Sequence, residues 1–193
     1  MYEITFICCF NNLNQFNNFV ATLKNQTCKY NLIAIDNTGN KKFKSCASAY
    51  NSVIDQVKTK YVIYSHQDIL LNDNDTLENF LNYLHKINKH DILGVAGVKF
   101  EIPGTITNIM HKNNNTGEMV SAGVHKMKGE FMEVDTVDEC FFGGYSEHFK
   151  INKFNEKLCN GWHLYAVERC LNTIAQSSRR GEERRGEESR LYL

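Results

Sequence analysis

Three groups of side chains in this sequence have the types and spacing that chemistry needs. The first is Ser65, His66, Gln67 and Asp68, directly after the apolar and aromatic run from Tyr61 to Tyr64. Such a run reads as a strand through a sheet's interior, which places His66 and Asp68 just beyond its carboxyl end. In open α/β sheets that edge is where ligands bind. A carboxylate there can hold a divalent cation, and the cation a diphosphate; the plain alternative is a turn in which Asp68 caps the next segment. The second is Asp36, after the short apolar stretch Leu32 to Ile35. An acidic residue after a second strand is well placed to bond a ribose or a base edge, while an Asx turn before Gly39 accounts for Asp36 without any ligand. The third group lies late in the chain: Asp138 with Glu139, and Trp162 with His163. Their plain alternatives are a solvated strand end, a core aromatic and a helix-entry histidine bonded to backbone.

The elements that must carry these residues alternate between strand and helix. A strand is expected over Glu3 to Cys9. Leu13 to Asn25 follows with Phe16, Phe19, Val20 and Leu23 at helical spacing. After the strand Leu32 to Ile35, a helix is expected over Ser45 to Val57. Beyond the strand that ends near Tyr64, Asp75 and Glu78 form a capping-box pattern before Leu77, Phe80, Leu81 and Leu84. Ile92 to Val98 gives a further strand. This order demands parallel strands with right-handed crossovers. The second half is less regular. Glu101 to Gly129 reads as a long loop or hairpin excursion, Phe131 to Val137 as a strand that Cys140 to Phe142 continues, and Trp162 to Ile174 as a helix.

Composition narrows the function classes. The chain has 193 residues, enough for one α/β domain, and its 22 basic and 22 acidic side chains balance. That balance gives no general attraction to nucleic acid or to a membrane surface. Seven cysteines with no CxxC pair and no secretory leader fit reduced thiols in a cytoplasmic protein. No stretch is long and apolar enough to be a transmembrane segment. Neither GxGxxG nor GxxxxGK[ST] occurs, so a dehydrogenase of the Rossmann kind and a P-loop enzyme are both disfavoured. Without a glycine-rich cradle, phosphate has to be neutralised by a cation, which raises the value of Asp68. From Arg179 the pentapeptide pattern of arginine, glycine and glutamate repeats with no apolar residue. The expectation is one domain over 1–176 and a charged tail over 177–193, disordered or a solvated helix.

The ordered set of Asp36 and Asn37, then Ala49, Tyr50 and Asn51, then Tyr64, Ser65, His66, Gln67 and Asp68 resembles family-2 glycosyltransferases of the GT-A type. It is most similar to a bacterial branch that writes His-Gln-Asp in place of Asp-x-Asp. Glu133 to Glu139, Phe154 to Glu156 and Gly161 to Glu168 resemble that branch's acceptor-side motifs, and the likeness spans roughly residues 2 to 174. It implies a single GT-A-type nucleotide-diphospho-sugar transferase domain, with a mixed, mostly parallel sheet and helices on both faces. It implies a nucleotide-sugar donor, a glycan or surface-polymer acceptor, inversion at the anomeric carbon, and an enzyme working near the inner membrane. By residue, it implies Asp36, Asn37 and His66 on the donor, and Asp68 and His163 on a Mn²⁺ or Mg²⁺ ion. Glu139 and Trp162 would lie on the acceptor, with Asp138 as a candidate base. Relatives carry an aspartate where this chain has Ala166, and alanine takes no proton. Two other readings therefore stand beside it: a glycosyltransferase-like protein that binds nucleotide sugar or glycan with little turnover, and a sugar-nucleotide synthesising enzyme. The latter usually needs a glycine-rich basic loop after the first strand, where this chain has Phe10, Asn11, Asn12 and Leu13.

Overall fold

The computed structural model describes residues 2–126, 131–181 and 190–193, with backbone alone for 125–126 and 176–181. Its first half follows the alternation in the sequence: β1 (Ile4–Phe10), α1 (Leu13–Lys24), β2 (Tyr30–Asp36), α2 (Cys46–Asn51), β3 (Tyr61–Ser65), α3 (Thr76–Leu84) and β4 (Ile92–Gly94). Short strands then form an excursion: β5 (Ala96–Val98), β6 (Ile106–Thr107), β7 (Met110–Lys112), β8 (Met119–Ser121), β9 (His125–Lys126) and β10 (Thr136–Val137). The chain closes with β11 (Phe141–Tyr145), α4 (Ser146–Ile151), α5 (Tyr165–Gly181) and β12 (Leu191–Tyr192).

The central sheet has the order β12-β4-β11-β3-β1-β2. β1 pairs in parallel with both β2 and β3, β12 pairs in parallel with β4, and β11 alone runs against its neighbours. Side chains on a strand alternate between faces, and β3 shows the consequence. Val62 and Tyr64 join the core under α2 and α5, whereas Tyr61 and Ile63 join the core under α1 and α3. All four are fully buried, each contributing about 1.5–3 kcal/mol. β11 fits between β3 and β4 because Gly143 has no side chain: a Cβ there would sit 2.3 Å from the Val62 carbonyl oxygen.

Several expectations need correction. The strand expected over Phe131 to Val137 shrinks to β10 in a separate four-stranded sheet, plus one bridge from Glu133 to Tyr192. Cys140 to Phe142 does not continue it but opens β11 in the central sheet. Ile92 to Val98 breaks at Val95, so β4 and β5 belong to different sheets. Asp75 makes no side-chain cap to α3, since its φ of −101° and ψ of 2° lie outside the extended region that a capping side chain uses, and Glu78 accepts from the Thr27 hydroxyl at 2.9 Å. Helix α5 begins at Tyr165 rather than Trp162, since Leu164 takes a left-handed φ of 69°.

The tail differs from the expectation at its far end. Helix α5 runs on to Gly181, and the last residues form β12. Leu191 and Leu193 are 1% and 4% exposed. Backbone bonds tie β12 on one side to β4, and on the other to residues 132–134: Met132 and Leu193 exchange a pair, and Val134 N–H donates to Leu191. Apolar burial at Leu191 and Leu193 outweighs the charge of the preceding repeat. Residues 182–189, the heart of the expected disorder, lie outside the described residues.

Candidate functional site

Parallel strands end together, so β1, β2 and β3 deliver their loops to one edge of the sheet. There they enclose a cavity of about 180 Å³. Its walls combine strand ends (Cys9, Phe10), the turn after β3 (His66, Gln67, Asp68), the buried faces of Asn37, Cys46 and Tyr50, and Trp162 with His163 from the approach to α5. Asn37, His66, Asp68, Trp162 and His163 were each singled out by sequence, and the fold brings all five to one cavity. Asp36, Asp138 and Glu139 are not among its lining residues.

Local chemistry explains where those three carboxylates go. Asp36 is exposed and accepts from the Thr38 backbone at 2.8 Å. Thr38's hydroxyl and backbone donors hold its carboxyl below the ordinary carboxylate value. This is the Asx turn that the sequence allowed. Asp138 accepts from Cys140 N–H at 2.9 Å and so closes the turn before β11. Glu139, in contrast, reaches the cavity indirectly. Its Oε1 lies 2.9 Å from Nδ1 of His163, a residue 24 positions away. The histidine side chain is 82% exposed and the glutamate's 15%, so a shielded carboxylate holds an open imidazole. An Nδ1–H donated to Glu139 leaves Nε2 of His163 with its lone pair.

A second chain of bonds runs behind it. Tyr165 donates its hydroxyl to the Glu139 carbonyl at 3.2 Å, and Nε2 of His66 lies 3.1 Å from the same hydroxyl. The single hydroxyl hydrogen is committed to the carbonyl, so His66 is the donor to Tyr165 and its Nδ1 keeps a lone pair. Both Asn37 and Gln67 serve the loops. Asn37, 2% exposed, accepts from Lys42 and Phe43 N–H and donates to the Phe43 carbonyl, which pins the loop after β2. Gln67 accepts from both Asn11 and Asn12 N–H through one oxygen, at 2.9 and 2.8 Å. Sequence reasoning gave Gln67 no role of its own, although its place between His66 and Asp68 was a usable signal. An amide is the side chain that can accept from a neighbouring loop and donate to it at once.

The remaining ionisable groups of the cavity are poor bases. Burial pushes the thiols of Cys9 and Cys46 up to about 11 and about 12, and holds the Tyr50 phenol well above its ordinary value. Ala166 is fully buried and part of the core, so that position brings no carboxylate to the cavity. Among the described residues no group of three His, Cys, Asp or Glu side chains is arranged to hold a metal ion. Asp68 is exposed at the cavity wall, and one carboxylate suits a cation whose other ligands are water and substrate phosphate. The donor set therefore fits a hard ion held jointly with a diphosphate, and does not fit an ion caged by protein alone.

Comparisons with known proteins agree with this architecture. A family model described as a glycosyltransferase-like family matches residues 5–180. S. aureus TarS 1-349 in complex with UDP-GlcNAc superimposes with a TM-score of 0.57 at 13% identity, over 99% of this chain and 56% of that one. The same protein in complex with UDP gives a TM-score of 0.56 at 14% identity, over 99% and 57%. This chain thus spans just over half the length of those TarS chains. A mannosyltransferase from Pyrobaculum calidifontis, in complex with GDP-Man and Mn²⁺, covers 50% of this chain and 35% of its own at 15% identity, with a TM-score of 0.43. No curated protein matches the chain. Among the described residues no helix is long and apolar enough to cross a membrane.

Proposed function

Because the chain belongs to the glycosyltransferase-like family, we propose that its cavity takes a nucleoside-diphosphate sugar and that the protein transfers the sugar to a hydroxyl of a glycan or other surface polymer. The observation that carries this reading is the cavity at the carboxyl edge of β1, β2 and β3, with Asp68 at its wall. TarS, which shares this fold, holds UDP-GlcNAc in one of its structures. Asp68 would hold a Mg²⁺ or Mn²⁺ ion together with the diphosphate. A cation there offsets the negative charge that builds on the departing nucleoside diphosphate. Asn37 and His66 serve the donor from the cavity wall and Trp162 the acceptor side, while Asp36 and Glu139, outside the lining, meet these ligands only where they extend beyond it.

The proton acceptor falls to His163. As the acceptor oxygen attacks the anomeric carbon, the bond from that carbon to the diphosphate breaks and its electron pair leaves on the phosphate oxygen. The hydroxyl proton passes to Nε2 of His163, and Glu139 steadies the imidazolium through Nδ1–H. A single displacement of this kind inverts the anomeric centre. This takes His163 from the metal role that the resemblance implies, and Asp138, the base candidate of the sequence, accepts from Cys140 N–H instead. Seven free thiols fit a reducing, cytoplasmic setting.

A second reading is a binding protein with little turnover, favoured by Ala166 in the core. The test is a thermal-shift series with UDP, GDP and dTDP, each with and without Mn²⁺. The donor reading expects one nucleotide to stabilise the protein only with metal. It also expects Asp68→Ala to remove that response without lowering the unligated melting temperature. Binding of the matching sugar nucleotide with no release of nucleoside diphosphate in the presence of glycan acceptors favours the binding protein. No response to any nucleotide from the folded protein overturns the donor site.

A further inference from the structure

Gln67 stands between His66 and Asp68 in the cavity wall, and its carboxamide is bonded to the start of α1. Oε1 accepts from Asn11 N–H at 2.9 Å and from Asn12 N–H at 2.8 Å, and Nε2 donates to Asn11 Oδ1 at 2.8 Å. Asn11 in turn donates through Nδ2 to Asn40 Oδ1 at 3.2 Å, in the loop after β2. One line of amides thus joins all three strand-end loops. Few donors remain at the entry to α1. Asn12 Oδ1 caps the helix by accepting from Asn14 and Gln15 N–H, and Phe16 N–H bonds the Asn12 carbonyl. Backbone N–H groups at the start of a helix after a first strand are where many nucleotide-binding proteins seat a phosphate. Here two such groups just ahead of the helix carry a side-chain oxygen of the protein itself.

We propose that Gln67 is a positioning residue for the donor. Its carboxamide stands in for a phosphate at the β1–α1 loop and fixes that loop to the turn bearing Asp68, so the diphosphate is received on the Asp68 side of the cavity. The inference rests on the donor reading given above. Loss of the latch leaves the loop to be ordered at each binding event, at the expense of affinity.

The test uses the full chain, with UDP and Mg²⁺ as probe, in wild type, Gln67→Met and Gln67→Glu. Met keeps the length of the side chain and removes the acceptor, whereas Glu keeps the acceptor for both amides. In Gln67→Met, amide hydrogen exchange at Asn11 and Asn12 speeds up while β3 stays protected, and Gln67→Glu retains the protection. UDP affinity falls about 5- to 20-fold in Gln67→Met, the size expected when roughly one ordered loop contact is lost. A merely structural role would move the melting temperature in step with the affinity, and here it stays within about 2 °C of wild type on the stability scale of a domain this size. Unchanged exchange at Asn11 and Asn12 overturns the latch. Faster exchange with UDP affinity within twofold of wild type overturns the positioning role alone. Failure of wild type to bind any nucleoside diphosphate overturns the donor reading and this inference with it, and is recognised before a variant is measured.

Discussion

Ending the chain at Ser189 should bring it to the edge of unfolding, because β12 is not a loose end. Leu191 and Leu193 are all but fully buried and both belong to the core under α2 and α5. Replacing one such leucine by alanine costs about 2–5 kcal/mol, so the pair comes to about 4 kcal/mol at the low end of that range if the losses are independent. Deletion also strips backbone partners from Ile92, Met132 and Val134. It leaves Asp91 Oδ1 without the Arg190 N–H that it accepts at 2.7 Å. Each buried group left unmade adds about 1–3 kcal/mol. Domains of this kind have only about 5–15 kcal/mol in total. Urea unfolding followed by far-UV circular dichroism, on the full chain, the chain ended at Ser189, and Leu191→Ala and Leu193→Ala singly, measures each loss. The two leucines are close, so their losses need not add. A shortened chain within about 1 kcal/mol of the full one, with the same denaturant slope, would refute the reasoning and mean that β12 is not held as described.

Two further outcomes follow from the same geometry. His163→Gln should lower sugar transfer about 10²- to 10⁴-fold while leaving metal-dependent UDP affinity unchanged, and Glu139→Gln should lower it less; transfer within about threefold of wild type for His163→Gln would dismiss it as base. Burial holds the carboxyl of Asp91 above its ordinary value despite amide donors from Arg190 and Asn88. The folded chain therefore binds that proton more tightly than the unfolded one. The contribution is full below the unfolded value and is lost as pH rises through the folded one. Urea titrations between about pH 3.5 and 6.5, spanning the carboxylate range, should show the advantage of wild type over Asp91→Asn shrinking as pH rises, and a growing advantage would contradict the burial argument.

The sequence by itself determined the first half of the fold and the place of the cavity. Continuous apolar runs in β1 and β3, buried on both faces, helical spacing in α1 and α3, and the alternation of the two leave parallel pairing as the way to bury every face. Parallel strands end on one side, so Asp36, His66 and Asp68 were expected at one edge before any coordinates; His66 and Asp68 line the cavity, whereas Asp36 stays outside its lining and its neighbour Asn37 takes that wall. The resemblance carried Trp162 and His163 to the same place. What tertiary structure alone decided is the work of residues far apart in the chain. Strands of two to five residues such as β10, β11 and β12 are too short to show a period, and their pairing is set by distant partners: β11 by the space that Gly143 leaves beside Val62, β12 by the apolar slot that takes Leu191 and Leu193. The polar links of the site are of the same kind. Gln67 meets Asn11 and Asn12 across more than fifty residues, and His163 meets Glu139 across 24. A hydrogen bond fixes two groups in space within a few tenths of an ångström, and nothing in local spacing states which distant group the fold will bring to that distance.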